Sequence, residues 1–303
     1  MNILIVGGTG LLGGHAALYL HSLGHQVTIA ARRPAPAATP MAQLPFVSID
    51  FVAGNARKED LQGFDAMVFA AGNDIRHVPP EADAPAHWLH ANGEALPRFF
   101  ALAREAGIRK AVLIGSFYPH VAPELAESDP YVRSRYLACT GARALAAPGF
   151  EVCSLNAPFM VGAVPGLPSP IFEAYTAYAQ GKMGDMPIFG PTGGTNFMSA
   201  QSLSEAVAAA LEHGESGQAY LVGDENLSFA EFFTLFFKSL GSDTVVPALD
   251  QSHPMLPDEV LSAGRGTPVR YEADPRLQYR RGDVTRAVQE AVDQVLTGQL
   301  QAA

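Results

Sequence analysis

Gly7, Gly10 and Gly13 have the spacing G-x-x-G-x-x-G within the segment Gly7-Gly8-Thr9-Gly10-Leu11-Leu12-Gly13. The chemistry served by this spacing is the holding of a pyrophosphate. The first glycine can make a tight turn, the second leaves room for phosphate beside bare backbone, and the third lets a helix pack closely on a strand. Unpaired amide groups at the helix start then face the anion. Glycines alone are weak evidence. Here the apolar run Ile3-Leu4-Ile5-Val6 precedes them directly and a helical pattern begins inside them. That context points to a dinucleotide site built from Gly7, Thr9, Gly10, Leu11, Leu12 and Gly13.

The end of the second strand selects the cofactor. An acidic residue there hydrogen-bonds a free ribose 2′-hydroxyl, whereas a basic one accommodates a 2′-phosphate. The chain reads Ala30-Ala31-Arg32-Arg33-Pro34, with no acid in the turn. A guanidinium fork matches phosphate oxygens in bidentate fashion. The reading favours NADP (NADPH) over NAD, with Arg32, nearer the strand end, the better candidate of the two arginines. The opposing reading makes one or both of them solvated surface charges.

The elements that must position these residues follow from the pattern of apolar runs. Strands are expected at 3–6, 27–30, 46–51, 67–70, 111–114 and 152–155, rich in Val, Ile, Leu and Ala and with little alternation. Such runs suit strands covered on both faces, as in a parallel sheet. Helices are expected at 11–23, 96–106 and 131–145, with Gly24, Gly107 and Gly149 near their ends. Repeated βα units imply an α/β fold, a Rossmann-type doubly wound parallel sheet with right-handed crossovers. Beyond residue 158 the chain changes character. Residues 158–195 are rich in Pro and Gly with few strand signals, 245–282 are irregular, and helices are expected at 202–213, 229–240 and 282–300, with one more strand at 219–222. The expected organisation is a dinucleotide-binding domain over residues 1–160, to which 196–225 return. A smaller, mostly helical C-terminal substrate lobe comprises 161–195 and 226–303. The stripe Phe229, Phe232, Phe233, Phe236 and Phe237 reads as packing within that lobe rather than as a ligand box.

Composition excludes several classes. The chain has 303 residues, 48% hydrophobic and 17% charged, with a formal net charge of −10. A nucleic-acid partner is not expected, because phosphate contacts need clustered Lys and Arg. No apolar run approaches the roughly 18 residues of a membrane span. With strand character from Ile3 onward, the start is not read as a signal peptide, and a cytoplasmic location is the default. The two cysteines, Cys139 and Cys153, suggest no disulfide framework and read as structural. No Cys/His spacing of metal-site type is present, so no metal is expected.

Taken together, the chain resembles the extended short-chain dehydrogenase/reductase family, the group of NAD(P)-dependent epimerases, dehydratases and flavonol-type reductases, over nearly its whole length. Ala53-Gly54-Asn55 resembles the family's Gly-Asp segment near the adenine, with Asn55 where Asp is usual. Phe69-Ala70-Ala71-Gly72 resembles the small-residue loop over the adenine ribose. Asn92 falls where relatives carry an Asn before the fifth strand, either holding a helix kink and a water or capping a turn. Gly115-Ser116 resembles the segment of the catalytic Ser or Thr, and Asn156-Ala157-Pro158-Phe159-Met160-Val161-Gly162 resembles the turn against the nicotinamide. The resemblance thus adds Asn55, Ala70, Ala71, Gly72, Asn92, Pro158, Phe159 and Met160 to the cofactor-binding set.

The resemblance also implies an active site. In the family a Tyr and a Lys four residues apart, with a nearby Ser or Thr, exchange the substrate proton while hydride moves at the nicotinamide. The matching place here reads Tyr131-Val132-Arg133-Ser134-Arg135, with Arg135 in place of Lys. The spacing still puts both side chains on one helix face. A nearby cation favours phenolate and lowers a tyrosine pKa from about 10, but Arg spreads its charge over a bulky plane and is no equivalent of Lys. The expected catalytic set is Tyr131, Arg135 and Ser116, where Ser116 either holds a carbonyl oxygen or caps the turn and Tyr131 is either the acid/base or a packing residue. Tyr178 and Lys182 repeat the four-residue spacing, but Gly181 interrupts their helix; Tyr118 is the better reserve for a substrate contact.

The expected substrate pocket draws on 73–77, 117–120, 159–171 and 196–198, a largely apolar and aromatic set. Cations that could clamp a diphosphate are few: Lys182, Arg265 and Arg270. The resulting expectation is an NADP(H)-dependent oxidoreductase reducing a small, largely apolar aldehyde, ketone or enone. The alternatives are a sugar-nucleotide epimerase or dehydratase and a catalytically impaired NADP-binding sensor. The resemblance is also compatible with a homodimer through two helices on one side of the sheet.

Overall fold

A computed structural model describes residues 1–302. Seven parallel strands form the central sheet: β1 (Asn2–Val6), β2 (Gln26–Ala31), β3 (Phe46–Ser48), β4 (Ala66–Phe69), β5 (Lys110–Ser116), β6 (Glu151–Ala157) and, numbered by its later place in the chain, β10 (Ala219–Leu221). Their order is β10-β6-β5-β4-β1-β2-β3. The chain winds outward one way from β1 through β2 to β3 and the other way from β4, so the direction reverses between β1 and β4. Ligands of such sheets bind outside the carboxyl ends of the strands at this reversal.

The apolar runs are explained by two cores on opposite faces. Ile3, Ile5, Val27, Ile29, Val68, Val112 and Leu155 point to one face, under α1 (Leu11–Ser22) and α8 (Ala200–His213). Leu4, Val6, Ala30, Met67, Phe69, Leu113 and Val152 point to the other, under α3 (Leu96–Glu105) and α6 (Pro130–Arg143). Successive residues alternate between the faces, and both faces are dry, so alternation of polarity is lost. Short helices α2 (Ala84–Trp88), α4 (Tyr118–Val121) and α5 (Leu125–Ser128) lie in the crossovers. A π-helical turn, Leu89–Ala95, joins α2 to α3.

One expected strand is shorter in the structure. The run at 46–51 is extended only to Ser48, because the Asp50 side chain turns the chain by accepting the Val52 and Ala53 amides, both at 3.1 Å. The remaining chain is less purely helical than its composition suggests. Helices α7 (Pro170–Ala179), α9 (Phe229–Ser239) and α10 (Val284–Ala302) enclose a core with β7 (Phe159–Val161), β9 (Gly194–Ser199) and β11 (Glu225–Ser228), which form a three-stranded sheet. A further pair joins β8 (Gly190–Pro191) to β12 (Ala248–Leu249). Helix α7, β7 and β8 carry no clear signal in the Pro- and Gly-rich stretch 158–195, and the strands pair with partners distant in sequence. The phenylalanine stripe of α9 is buried here as expected, with Phe232 stacked on Phe197 at 4.2 Å between centroids.

The glycine turn is a tight junction. Gly7 takes a left-handed φ of 83°. A Cβ at Gly13 would overlap the Gly7 carbonyl, coming within 2.7 Å of its carbon. Gly13→Ala is therefore expected to lower stability by about 1–3 kcal/mol, as overpacking does, read as a reduced urea midpoint with an unchanged slope.

Candidate functional site

Five loops converge at the carboxyl ends of the central strands. Gly7 follows β1, Arg32 follows β2, Ala70 follows β4, Phe117 follows β5 and Pro158 follows β6. Gly7 donates to the Ala30 carbonyl at 2.8 Å, and a Cβ on it would lie 2.8–2.9 Å from the Ala70 and Ala71 backbone. The loops after β1 and β4 and the end of β2 are thus held in mutual contact through a residue with no side chain.

The start of α1 fits a dinucleotide phosphate. Gly10 is its N-cap and provides no side-chain cap, and no acidic residue lies in the first turn. A Cβ on Gly10 would meet nothing nearer than the Gly7 carbonyl oxygen at 3.6 Å, so the space above it is open. Amides at such a start are free to bind an anion. Arg32 and Arg33 are exposed at the end of β2. Arg32 is near enough to His87 to help lower the imidazole pKa, an effect led by desolvation. Asn55 is placed differently from the phosphate-side glycines: its Oδ1 accepts the Asp50 amide at 2.8 Å and closes the turn after β3.

Tyr131 and Arg135 are positioned by the start of α6. Asp129 caps the helix, its Oδ1 accepting from the Tyr131 amide at 2.8 Å and the Val132 amide at 3.2 Å, and Pro130 occupies the first helical position. An Asp-Pro pair is a legible helix start, and it fixes Tyr131 in the first turn with Arg135 one turn later. The Tyr131 ring packs edge-on against Trp88, with centroids 5.4 Å apart. Its hydroxyl makes no hydrogen bond to a described residue. Burial raises its pKa above the ordinary tyrosine value; Arg135 and Arg76 oppose this, while Asp74 and Asp129 add to it. The cation expected to lower the pKa is in place, yet desolvation outweighs it.

Arg135 is only 7% exposed. Its Nη2 donates to the Ile114 carbonyl at 3.1 Å, and its Nε is buried with no partner among the described residues. The last β4–β5 pair is Phe69 with Leu113, so the guanidinium sits where those strands part. Ser116 ends β5 opposite Ala157, and its hydroxyl also makes no hydrogen bond to a described residue. It does not cap the turn. Together, the open glycine turn and the orphaned Arg135 N–H fit a phosphate-and-ribose ligand, as NAD(P) presents.

Asn92 occupies the π-helical turn, a device frequent at functional sites. Its Oδ1 accepts the Asn73 amide at 3.0 Å, and its Nδ2 donates to the Asn73 carbonyl at 2.9 Å and to Ser134 Oγ at 3.0 Å. It therefore clamps the loop after β4 to α6. Pro158 is buried, while Phe159 and Met160 enter β7 and pair with Phe197 and Met198. Phe159 also packs on Phe232.

Some expectations are corrected. Residues 196–198, expected to line the pocket, are buried in β9, with Phe197 at 1% and Met198 at 0% exposure. The pair Tyr178 and Lys182, already set aside on Gly181, lies in the other part of the chain: Tyr178 is buried in the core enclosed by α7, α9 and α10 and bonds the Phe189 backbone, while the exposed Lys182 reaches Gln299. Other neighbours of the site were not legible. Trp88 sits on Tyr131 with no local motif to mark it. Asp74 accepts from Arg76 and His77, and these bonds hold its carboxyl well below the usual range despite burial. Tyr118 is pushed up to about 12 by burial, partly offset by the Ala263 amide, which the irregular segment after α9 brings over the site. Tyr271 from the same segment packs on Phe117 at 5.8 Å.

The sheet order, the glycine turn and the α6 pair define an extended short-chain dehydrogenase/reductase. The chain belongs to the NAD dependent epimerase/dehydratase family, whose model matches residues 3–223. Its fold is similar to that of gox2253 (TM-score 0.78, 21% identity, 98% of each chain covered). A UDP-glucose-4-epimerase from Stenotrophomonas maltophila with bound NAD and formylated UDP-arabinopyranose matches with a TM-score of 0.73, 19% identity and full coverage of both chains (100%). DesIV, a dTDP-glucose 4,6-dehydratase from Streptomyces venezuelae with NAD and TYD bound, matches at 0.73 and 20% identity, with 99% of this chain and 98% of that one covered. No protein of curated function matches the chain. Among the described residues no helix is long and apolar enough to cross a membrane.

The Asn92 clamp yields a direct test. Asn92→Ala leaves the Asn73 amide and carbonyl unpaired in a buried place, and is expected to lower stability by about 1–3 kcal/mol, measured by urea unfolding.

Proposed function

We propose that this protein catalyses NADP(H)-dependent hydride transfer on the carbonyl/alcohol pair of a small, largely apolar molecule, with Tyr131 exchanging the proton. The observation that carries the reading is the convergence of an unbonded Tyr131 hydroxyl, an unbonded Ser116 hydroxyl and the buried Arg135 on one end of the sheet. A bound nicotinamide supplies or accepts the hydride. Tyr131 donates its proton to the substrate oxygen in reduction and recovers it in oxidation. Ser116 hydrogen-bonds the same oxygen. Arg135 would hold the cofactor ribose, and its charge favours the phenolate of Tyr131.

The preference for NADP rests on Arg32 and Arg33 and on the absence of an acid in their turn. The small apolar substrate is supported by the aromatic residues near Tyr131, namely Trp88, Tyr118, Phe117 and Tyr271. It is supported also by the state of the cations. Arg265 is engaged by both Asp250 and Asp258, and Arg76 by Asp74, so neither is free for a diphosphate. The second reading is a sugar-nucleotide epimerase or dehydratase using NAD. It is favoured by the structural neighbours described with UDP-sugar or dTDP-type ligands and NAD.

The test is nicotinamide absorbance with NADPH and NADH over aldehydes, ketones and enones, beside UDP- and dTDP-sugars monitored by product chromatography. Turnover of a carbonyl with NADPH, reduced about 100-fold or more by Tyr131→Phe, is the expected result. Turnover of a nucleotide sugar, or a clear preference for NADH, gives the second reading instead. Arg32→Ser with Arg33→Ser is expected to raise KM for NADPH about tenfold and leave that for NADH unchanged, the factor of one charge-assisted hydrogen bond. In Arg135→Gln the loss of a cation disfavours phenolate. The alkaline limb of the pH–kcat profile, falling for reduction and rising for oxidation, therefore moves to higher pH.

A further inference from the structure

The family's lysine is replaced by an arginine whose head is wider, so the fold must provide room that a lysine would not need. The room is at Gly72. A Cβ built there would overlap Nη1 of Arg135 and lie 2.8 Å from Cζ and 2.9 Å from Nη2. Those three guanidinium atoms are its three nearest neighbours, so the obstacle to a side chain at 72 is Arg135 and not the backbone. Nor is the backbone an obstacle by conformation, since Gly72 is not among the glycines with positive φ. The contrast with Gly7 is direct: there the φ is left-handed and the neighbours are backbone atoms of Ala70 and Ala71.

The guanidinium cannot simply swing aside. It is 7% exposed and held to the Ile114 carbonyl at 3.1 Å on one side. On the other side the loop carrying Gly72 is fixed through the next residue, since Asn92 clamps both the amide and the carbonyl of Asn73. The same Asn92 bonds Ser134, the residue preceding Arg135 on α6. Loop and helix are thus locked at a fixed separation, and the guanidinium fills the gap between Gly72 and Ile114.

We propose that Gly72 is the positioning residue for Arg135: its missing Cβ is the seat of the guanidinium, and this seat is what lets an arginine serve at the ribose-facing position of this site. The assignment rests on the reading of Arg135 as the cofactor-facing cation. A methyl at 72 drives the guanidinium off the Ile114 carbonyl and moves Nε from its present direction. A lysine at 135 has a narrow, unbranched end and needs no such seat.

The experiment uses four full-length proteins: the parent, Gly72→Ala, Arg135→Lys and the double variant. Two readings are taken on each, thermal unfolding without cofactor and NADPH and NADH titrations followed by nucleotide fluorescence. Gly72→Ala is expected to lower the midpoint and weaken reduced-cofactor binding at least tenfold. In the Arg135→Lys background the Gly72→Ala change is expected to have no further effect on either reading, relative to Arg135→Lys alone. Rescue by Arg135→Lys is the diagnostic, because a glycine needed only for its own backbone or for direct contact with the cofactor would be harmed equally in both backgrounds. Equal loss in both backgrounds, or a harmless Gly72→Ala in the parent, overturns the proposal. If Gly72→Ala does not fold, a folded double variant supports it and an unfolded one overturns it. Should the parent bind neither nucleotide, the cofactor reading fails, while the unfolding data still decide whether Gly72 seats Arg135.

Discussion

The close approach of α1 to the carboxyl end of β1 is the constraint from which the rest of the site follows. Gly13 lies against the Gly7 carbonyl with no space for a side chain, and Gly7 in turn lies against the backbone of Ala70 and Ala71. A helix start is thereby brought to the point where the strand order reverses. Because nothing caps its first turn, its amides face outward into the crevice. Wider spacing anywhere in this chain of backbone contacts would separate the anion-binding turn from the loop after β4, and so from Arg135.

On the other side of the crevice the organising element is α6. The Asp129 cap sets where the helix begins, and the helix repeat then places Tyr131 and Arg135 on one side. Electrostatically the two do not settle at the balance a lysine pairing suggests. Removing Tyr131 from water raises its pKa more than Arg135 lowers it, and Asp74 and Asp129 contribute in the same upward direction as burial. The site therefore favours the protonated phenol of Tyr131. Arg135 is fixed by one hydrogen bond, to the Ile114 carbonyl of β5, and by contact with the Gly72 loop after β4, which the Asn92 turn before α3 ties to α6.

The second part of the chain reaches this site by long excursions. Its own core is aromatic, with Tyr175 and Phe232, Phe233 and Phe236 in edge and stacked contacts. It is joined to the central sheet through β7, which continues almost directly from β6, and through α10, whose first amides are received by Asp224 and Glu225. From that base the segment between α9 and α10 extends Ala263 and Tyr271 to Tyr118 and Phe117. Substrate selection in such an arrangement belongs to residues far apart in sequence.

Local patterns determined the parts of this protein that depend on short-range physics. The apolar runs marked the strands of the central sheet, most purely β1, β4, β5 and β6 inside it, where burial on both faces demands them. The glycine spacing marked the tight turn from β1 into α1 because Gly7 and Gly13 have no room for a side chain, and the Tyr131–Arg135 spacing marked one helix face because the helix repeat is fixed. Asp129-Pro130 carried a helix-start signal as well. Tertiary structure decided what depends on packing between distant segments. It shortened β3 through the Asp50 turn, paired β7, β9 and β11 from separate parts of the chain into one small sheet, and buried residues 196–198 away from the crevice. It set Trp88 on Tyr131 and made Gly72 the seat of Arg135, since a missing Cβ acquires meaning only when another element fills its place. The balance of charges on Tyr131 was likewise beyond the sequence, because desolvation depends on everything packed around the hydroxyl and not on the residue one helical turn away.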